Sequence, residues 1–206
     1  MGSGDGADPA GAAGANIGGG AFIAVVGPSG AGKDTLLNHA RNALDGDERF
    51  VFVQRAITRS ADGETEDHRP VTDADFEAEL GRGGFAHWWD AHGLKYGVPV
   101  SVDDVVRSGR IAICNGSRGA LDGLRARYAN FTVINLTARP DVLARRLAGR
   151  GRESEAEILR RLKRQPDCDA QMADAVVIEN NGALEEAGRA LVDAIEAISR
   201  SVAQTG

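Results

Sequence analysis

Short apolar runs punctuate the chain at residues 22–26, 50–53, 111–114, 133–136 and 175–178. Each is nearly continuous rather than alternating, which predicts strands, those at 23–26, 111–114 and 133–136 buried. Elsewhere apolar residues recur at three- and four-residue spacing, the period of a helix with one buried face. This predicts helices over 35–44, 102–108, 140–148 and 184–202. The last places Leu184, Ala187, Leu191, Ile195 and Ile198 on one stripe, and Pro140 suits a first helical turn. Another helix is expected to start at Asp73-Ala74-Asp75-Phe76-Glu77, and 155–165 reads as helical and strongly basic. Residues 60–70 are polar and turn-rich and predict a loop, while 85–89 and 96–100 suit small strands or loop edges. Strands alternating with helices predict an α/β fold, a central parallel sheet with helices on both faces. Ligands of such a sheet gather at the carboxyl ends of its strands, where Gly27, Arg59, Asn115 and Thr137 are expected.

The first apolar run leads directly into Gly27-Pro28-Ser29-Gly30-Ala31-Gly32-Lys33-Asp34-Thr35. Strand, glycine-rich loop, lysine and helix follow one another in the order of a triphosphate-binding loop. Glycines let the backbone wrap close to a phosphate with its N–H groups pointing inward. The helix that follows begins with unpaired N–H groups and the positive end of its dipole. Lys33 is expected to reach the β- and γ-phosphates of ATP. The pattern wants Ser or Thr after the lysine to hold Mg²⁺, and this chain has Asp34. Either Asp34, through its carboxylate or a bound water, or Thr35 is expected to take that role. ATP and Mg²⁺ are therefore the expected cofactors, with residues 27–35 as the nucleotide site.

A net charge of −6 argues against a general nucleic-acid binder. The 206 residues, 42% of them hydrophobic, suit one α/β domain with its own core. No apolar stretch approaches the roughly 18 residues of a membrane span. The N-terminus also lacks the basic start and apolar centre of a secretory signal. Neither membrane nor nucleic acid is expected as a partner. The two cysteines, Cys114 and Cys168, make no disulfide framework and suit a reduced cytoplasm. His87 and His92 lack partners at zinc-ligand spacing. Residues 1–20, mostly Gly and Ala with no periodic apolar face, are expected to be a flexible tail ahead of one domain over 21–206.

From residue 26 to 182 the chain resembles the guanylate-kinase-like branch of the nucleoside monophosphate kinases. The residues that carry the likeness are 27–36, Thr58-Arg59, Tyr96-Gly97, Arg146-Leu147, Arg150-Gly151, Glu153-Ser154 and Asn180-Asn181. Within that branch it is most similar to the ribose 1,5-bisphosphate phosphokinase family. Gly32-Lys33-Asp34, Ile57-Thr58-Arg59, Glu66-Asp67-His68, residues 89–98 and Asn115-Gly116-Ser117-Arg118 point there. The resemblance implies a P-loop kinase fold with a small acceptor-binding subdomain near 59–100 and a helical lid near 145–165. It implies ATP-dependent phosphorylation of ribose 1,5-bisphosphate to phosphoribosyl pyrophosphate, in phosphonate breakdown or in supply of precursor for nucleotide and NAD synthesis.

Guanine-reading residues are missing from their places. Guanylate kinases carry a second Arg and then a Tyr soon after the Thr-Arg; residues 60–72 hold Arg69 and no Tyr. They also place an acidic group after the strand that here ends in Ile113-Cys114, and this chain has neutral Asn115. A guanine N1–H and amino group need an acceptor that a carboxylate would supply. The expected partner is instead a small phosphorylated sugar. Its attacking group is a phosphate oxygen, ionised near neutral pH because the second pKa is about 6. No general base is assigned.

Arg59 is the first candidate to grip the acceptor phosphate, by a bidentate contact. Arg118 is the second. Asn115 and Ser117 are candidates for ribose hydroxyls or phosphate, or for bonds to their own turn. Tyr96 and His92 are candidates to line the sugar pocket. By resemblance, the basic stretch 145–164 is the lid, with Arg146 on the nucleotide and Arg150 and Arg161 on the transferring phosphoryl. The bland alternative for that stretch is a solvated charged helix. Glu66 or Asp67 can reach Mg²⁺ or a ribose hydroxyl, or be solvated, and Trp88 and Trp89 are expected to pack. Alternatives to the sugar-phosphate kinase are a guanylate kinase, a binding module without catalysis, and a sugar kinase using Asp34 as a base.

Overall fold

The computed structural model describes residues 16–59, 67–148 and 170–205. Strand β1 (Ala21–Val26) is buried along its whole length. It is the centre of a five-stranded sheet in the order β2 (Phe50–Val53), β7 (Ile111–Asn115), β1, β8 (Phe131–Thr137), β9 (Val176–Glu179). All neighbouring strands run parallel. The five apolar runs thus became the five strands of one sheet.

Alternation of side chains gives β1 two cores to fill. Ile23 and Val25 meet Leu36 and Leu37 of α1 (Lys33–Ala43) and Leu191 and Ile195 of α6 (Leu184–Thr205). Phe22, Ala24 and Val26 meet Val106 of α3 (Val102–Arg107) and Leu121 and Leu124 of α4 (Leu121–Arg127). Burial of each such large side chain contributes about 1.5–3 kcal/mol. Helix α5 (Pro140–Ala148) follows β8 and adds Val142 and Leu143 to the first core. Helix α4 was not expected from periodicity. It has seven residues with Gly123 in the middle, too few to display a repeat. That glycine has a packing reason: a Cβ there would stand 2.2 Å from the His87 ring.

A second, smaller sheet has the order β4 (His68–Pro70), β3 (Arg55–Ile57), β6 (Leu94–Pro99), β5 (Phe85–Ala91). β3 and β4 are parallel; β3 with β6 and β5 with β6 are antiparallel. Two expectations change here. Residues 68–70 are a strand rather than loop, because β3 offers them an open edge to pair with. Arg59 follows β3 of this small sheet rather than a strand of the central one. Helix α2 (Asp73–Gly81) is capped by Thr72, whose hydroxyl accepts from Asp75 N at 3.1 Å.

The expected tail over 1–20 ends early. Ile17 is buried and bridges to Tyr128, with Ile17 N bonded to Arg127 O and Ala129 N to Ile17 O, both at 2.9 Å. An apolar residue among glycines was too small a signal to mark this docking. Below it, buried Asp103 accepts from the Tyr128 hydroxyl at 2.9 Å and from Arg127 Nε at 3.0 Å. Burial, then the Asp103 charge, pushes the Tyr128 hydroxyl far above the usual tyrosine range, so it stays a donor. Residues 1–15, 60–66 and 149–169 lie outside the described residues, and with them Cys168, the predicted helix 155–165 and all of the expected lid near 145–165 except 145–148, which end α5. Among the described residues no helix is long and apolar enough to cross a membrane.

Candidate active site

The phosphate loop forms where β1 ends. Gly27 passes so close to β8 that a Cβ would stand 2.1 Å from Leu136 O, so only glycine fits. Gly32 has φ 88°, a left-handed conformation that turns the chain into α1. The helix starts at Lys33, two residues before the expected 35. Lys33 Nζ donates to Gly27 O at 2.8 Å and Pro28 O at 3.4 Å, so its ammonium lies across the loop. Gly30 and Ala31 sit inside the curve, while Ser29 and Thr35 are exposed. Asp34 lies in the first turn of α1, where the helix dipole favours a carboxylate.

Asp34 does not stand alone. Asn115, at the carboxyl end of β7, donates from Nδ2 to Asp34 Oδ1 at 2.8 Å. The register that pairs Val25 with Asn115, and the bond from Gly116 N to Val25 O at 2.8 Å, fix this end of β7 beside the phosphate loop. Asp34 and Asn115 share a small cavity of about 30 Å³ with Asn38, Arg41 and Asp67. Arg41 is ion-paired to Asp67, and Gln54 Nε2 donates to the same carboxylate at 2.6 Å. The bonds from Arg41 and then Gln54 hold Asp67 below the usual carboxylate range. Asp67 is thus engaged beside the Asp34 cavity; Glu66 lies outside the described residues. Hard oxygen donors suit Mg²⁺, and the Asp34 carboxylate and exposed Thr35 hydroxyl fit that ion by chemistry and by place in the loop.

Several of the residues expected on the acceptor side cluster at the small sheet. Thr58 N donates to Lys95 O at 3.1 Å, and Lys95 N to Thr58 Oγ1 at 2.9 Å, which anchors the chain just before Arg59. Arg59, Arg69 and Arg82 line an open cleft of about 670 Å³ with Thr72 and Glu79. Arg69 there is held by Glu79 through bonds of 2.7 and 2.8 Å. Tyr96 on β6 stacks on buried Trp89, ring centroids 5.4 Å apart, and Trp88 packs edge-on to Phe76. Sequence reasoning missed Arg55: it is buried, and its guanidinium lies 5.2 Å from the Tyr96 ring and 5.6 Å from Trp89. A lone arginine at a strand start gave no sign of burial.

His92 is exposed at the tip of the β5–β6 hairpin. With φ 54° it precedes Gly93 at φ 75°, the two positive-φ residues that a tight hairpin requires. Its conformation therefore has a turn-forming cause. Ser117 and exposed Arg118 open a single 3₁₀ turn after Gly116, on the phosphate-loop side of β7.

Arg146 of α5 reaches the phosphate loop, with Nη1 to Gly30 O and Nη2 to Asn180 Oδ1, both at 3.4 Å. Asn180 is the stronger brace. It is buried, donates from Nδ2 to Ala31 O at 2.9 Å, and its N–H bonds Thr137 O at 2.7 Å. A Cβ on Gly32 would meet its Nδ2 at 2.7 Å. The sequence offered Asn180-Asn181 as a motif without a role. Of the predicted residues, the structure brings together 27–35, Asn115 and Arg146, and sets Arg59 and Tyr96 on the small sheet. Arg150 and Arg161 lie outside the described residues.

Comparison with known proteins bears on the family and the fold. A family model described as an AAA domain matches residues 23–160. A protein of Brucella melitensis named ribose 1,5-bisphosphate phosphokinase PhnN is 47% identical over 180 residues, 87% of this chain and 94% of that one. One of the same name from Brucella abortus is 50% identical over 79% of this chain and 85% of its own length. In three dimensions the chain is similar to guanylate kinase from Anaplasma phagocytophilum. The TM-score is 0.61 at 22% identity, covering 86% of this chain and 85% of the other.

Proposed function

The chain belongs to the ribose 1,5-bisphosphate phosphokinase family, and from that premise we propose how its site performs the transfer. The reaction moves the γ-phosphoryl group of ATP to the 1-phosphate oxygen of ribose 1,5-bisphosphate, giving 5-phosphoribosyl 1-pyrophosphate and ADP. The O–P bond to ADP breaks as the new P–O–P bond forms, and no proton need leave the acceptor when it is ionised. The protein's task is to bring two anions together and neutralise charge. The backbone N–H groups of residues 27–32 and the start of α1 cradle the phosphates of ATP. Lys33 leaves its carbonyl partners in the loop for the β- and γ-phosphates. Asp34 or Thr35 would hold Mg²⁺, which would screen phosphate charge. Arg59 grips the acceptor phosphate and Tyr96 borders the sugar. Ser117 and Arg118 face sugar hydroxyls or phosphate, and the carbonyl of Asn115 accepts from a sugar hydroxyl. Arg146 supports the loop from α5, and the lid arginines Arg150 and Arg161 meet the transferring group.

The observation that carries the choice of acceptor is the neutral Asn115, locked to Asp34 where a guanine reader needs a carboxylate. The test is ADP release with Mg-ATP and either ribose 1,5-bisphosphate or GMP, with products identified by mass. Turnover with the ribose bisphosphate alone, forming the pyrophosphate, is expected. Turnover with GMP alone would return the chain to nucleotide phosphorylation and overturn the assignment.

A further inference from the structure

Two departures, Asp34 from the triphosphate-loop pattern and Asn115, at the end of β7, from the guanylate-kinase pattern, lie far apart in sequence and meet in one hydrogen bond of 2.8 Å. We propose that they form a single functional unit in which Asn115 is the positioning residue that orients the Asp34 carboxylate for Mg²⁺, so that neither departure works without the other. The proposal rests on the phosphoryl-transfer reading of the loop.

The chemistry of the contact is asymmetric. Ionised aspartate only accepts hydrogen bonds, so whatever faces Asp34 Oδ1 must donate. An asparagine carboxamide donates; an aspartate at 115 would set two carboxylates at hydrogen-bond distance, and like charges there repel. A serine or threonine at 34 carries an O–H and tolerates a carboxylate opposite it. The usual hydroxyl therefore permits an acidic residue at the end of β7, and Asp34 forbids it.

Asn115 is well fixed for this task by its pairing with Val25 and by the bond from Gly116 N to Val25 O. A carboxylate has about four lone-pair sites, so a bond at Oδ1 is compatible with a cation on the same group. The neutral residue that Asp34 demands offers a single uncharged carboxamide oxygen where a carboxylate would offer two to a purine N1–H and amino group. Choice of metal ligand and choice of acceptor are thereby linked, and the linked class of acceptor is a phosphorylated sugar without a base.

A double-mutant cycle of Asp34→Ser, Asn115→Asp and the pair together tests this. Each full-length variant, loaded with a non-hydrolysable ATP analogue, is titrated with Mn²⁺ followed by electron paramagnetic resonance. A thermal melt accompanies each to report folding. Asn115→Asp is expected to weaken Mn²⁺ binding about 10–100-fold, the usual range for losing a residue that orients a ligand. The double variant is expected to recover most of that loss. Asn115→Ala, which removes the donor without adding charge, is expected to weaken binding less than Asn115→Asp, and it carries the test if the charged variant fails to fold. Unchanged or tighter Mn²⁺ binding by the Asn115 variants overturns the proposal, as does a double variant no better than Asn115→Asp. The titration needs no acceptor, so its failure is distinguishable from failure of the ribose bisphosphate assay.

Discussion

Asn180→Ala removes the side chain that ties the loop after β9 to the phosphate loop. In the native structure Nδ2 donates to Ala31 O at 2.9 Å, and Ala31 and Asn180 are 0% and 4% exposed. Truncation leaves a buried carbonyl without that donor, which costs about 1–3 kcal/mol. The Arg146 contact, at 3.4 Å, is too long to add much. The backbone bond from Asn180 N to Thr137 O survives the change. For a domain of this size each kcal/mol moves the melting temperature by roughly 2–4 °C, so a fall of roughly 2–12 °C is expected. Urea titration gives the free energy directly, and the KM for ATP should rise as the loop loses its brace. Asn180→Asp is a sharper version, because it sets an oxygen against Ala31 O; it should cost at least as much. A loss below about 0.5 kcal/mol, the range of an ordinary surface change, would refute the brace. So would an Asn180→Asp variant more stable than Asn180→Ala.

Lys33→Ala should lower kcat at least about 100-fold while the fold survives, since it removes charge aimed at the transferring group; near-normal turnover would sink the loop assignment. Arg59→Ala should raise the KM for ribose 1,5-bisphosphate more than that for ATP, and the opposite pattern would move Arg59 out of the acceptor site. Tyr128→Phe should destabilise by about 1.5–3 kcal/mol in urea, because buried Asp103 loses a hydrogen bond to its charge. ATP kinetics should not change, since this network lies at the amino end of the central sheet, where Ile17 bridges to Tyr128 just before β1.

The central sheet was legible because strands such as β1 and β7 are buried nearly throughout and therefore read as unbroken apolar runs. The small sheet was harder to see. β4 has three residues, His68, Arg69 and Pro70, with no apolar pattern, and exists because β3 offers it an edge. Helix α4 hid behind its shortness and Gly123, whose missing side chain is explained only by His87 on another element. Ile17 looked like part of a tail until its partner Tyr128 was in view.

The sequence by itself determined the phosphate loop, since glycine conformation, lysine and helix start are local properties of nine adjacent residues. It also determined the layer order of the central sheet through the alternation of runs and helical stripes, and flagged Asp34 and Asn115 as unusual. Only the tertiary structure decided that these two touch, that Asn180 braces Ala31, and that Arg55 is buried against Tyr96 and Trp89. Those are contacts between residues 34 or more positions apart in the chain. No local spacing encodes them; they arise where strands distant in the chain are brought side by side by the register of the sheets, the first two at the carboxyl ends of strands of the central sheet.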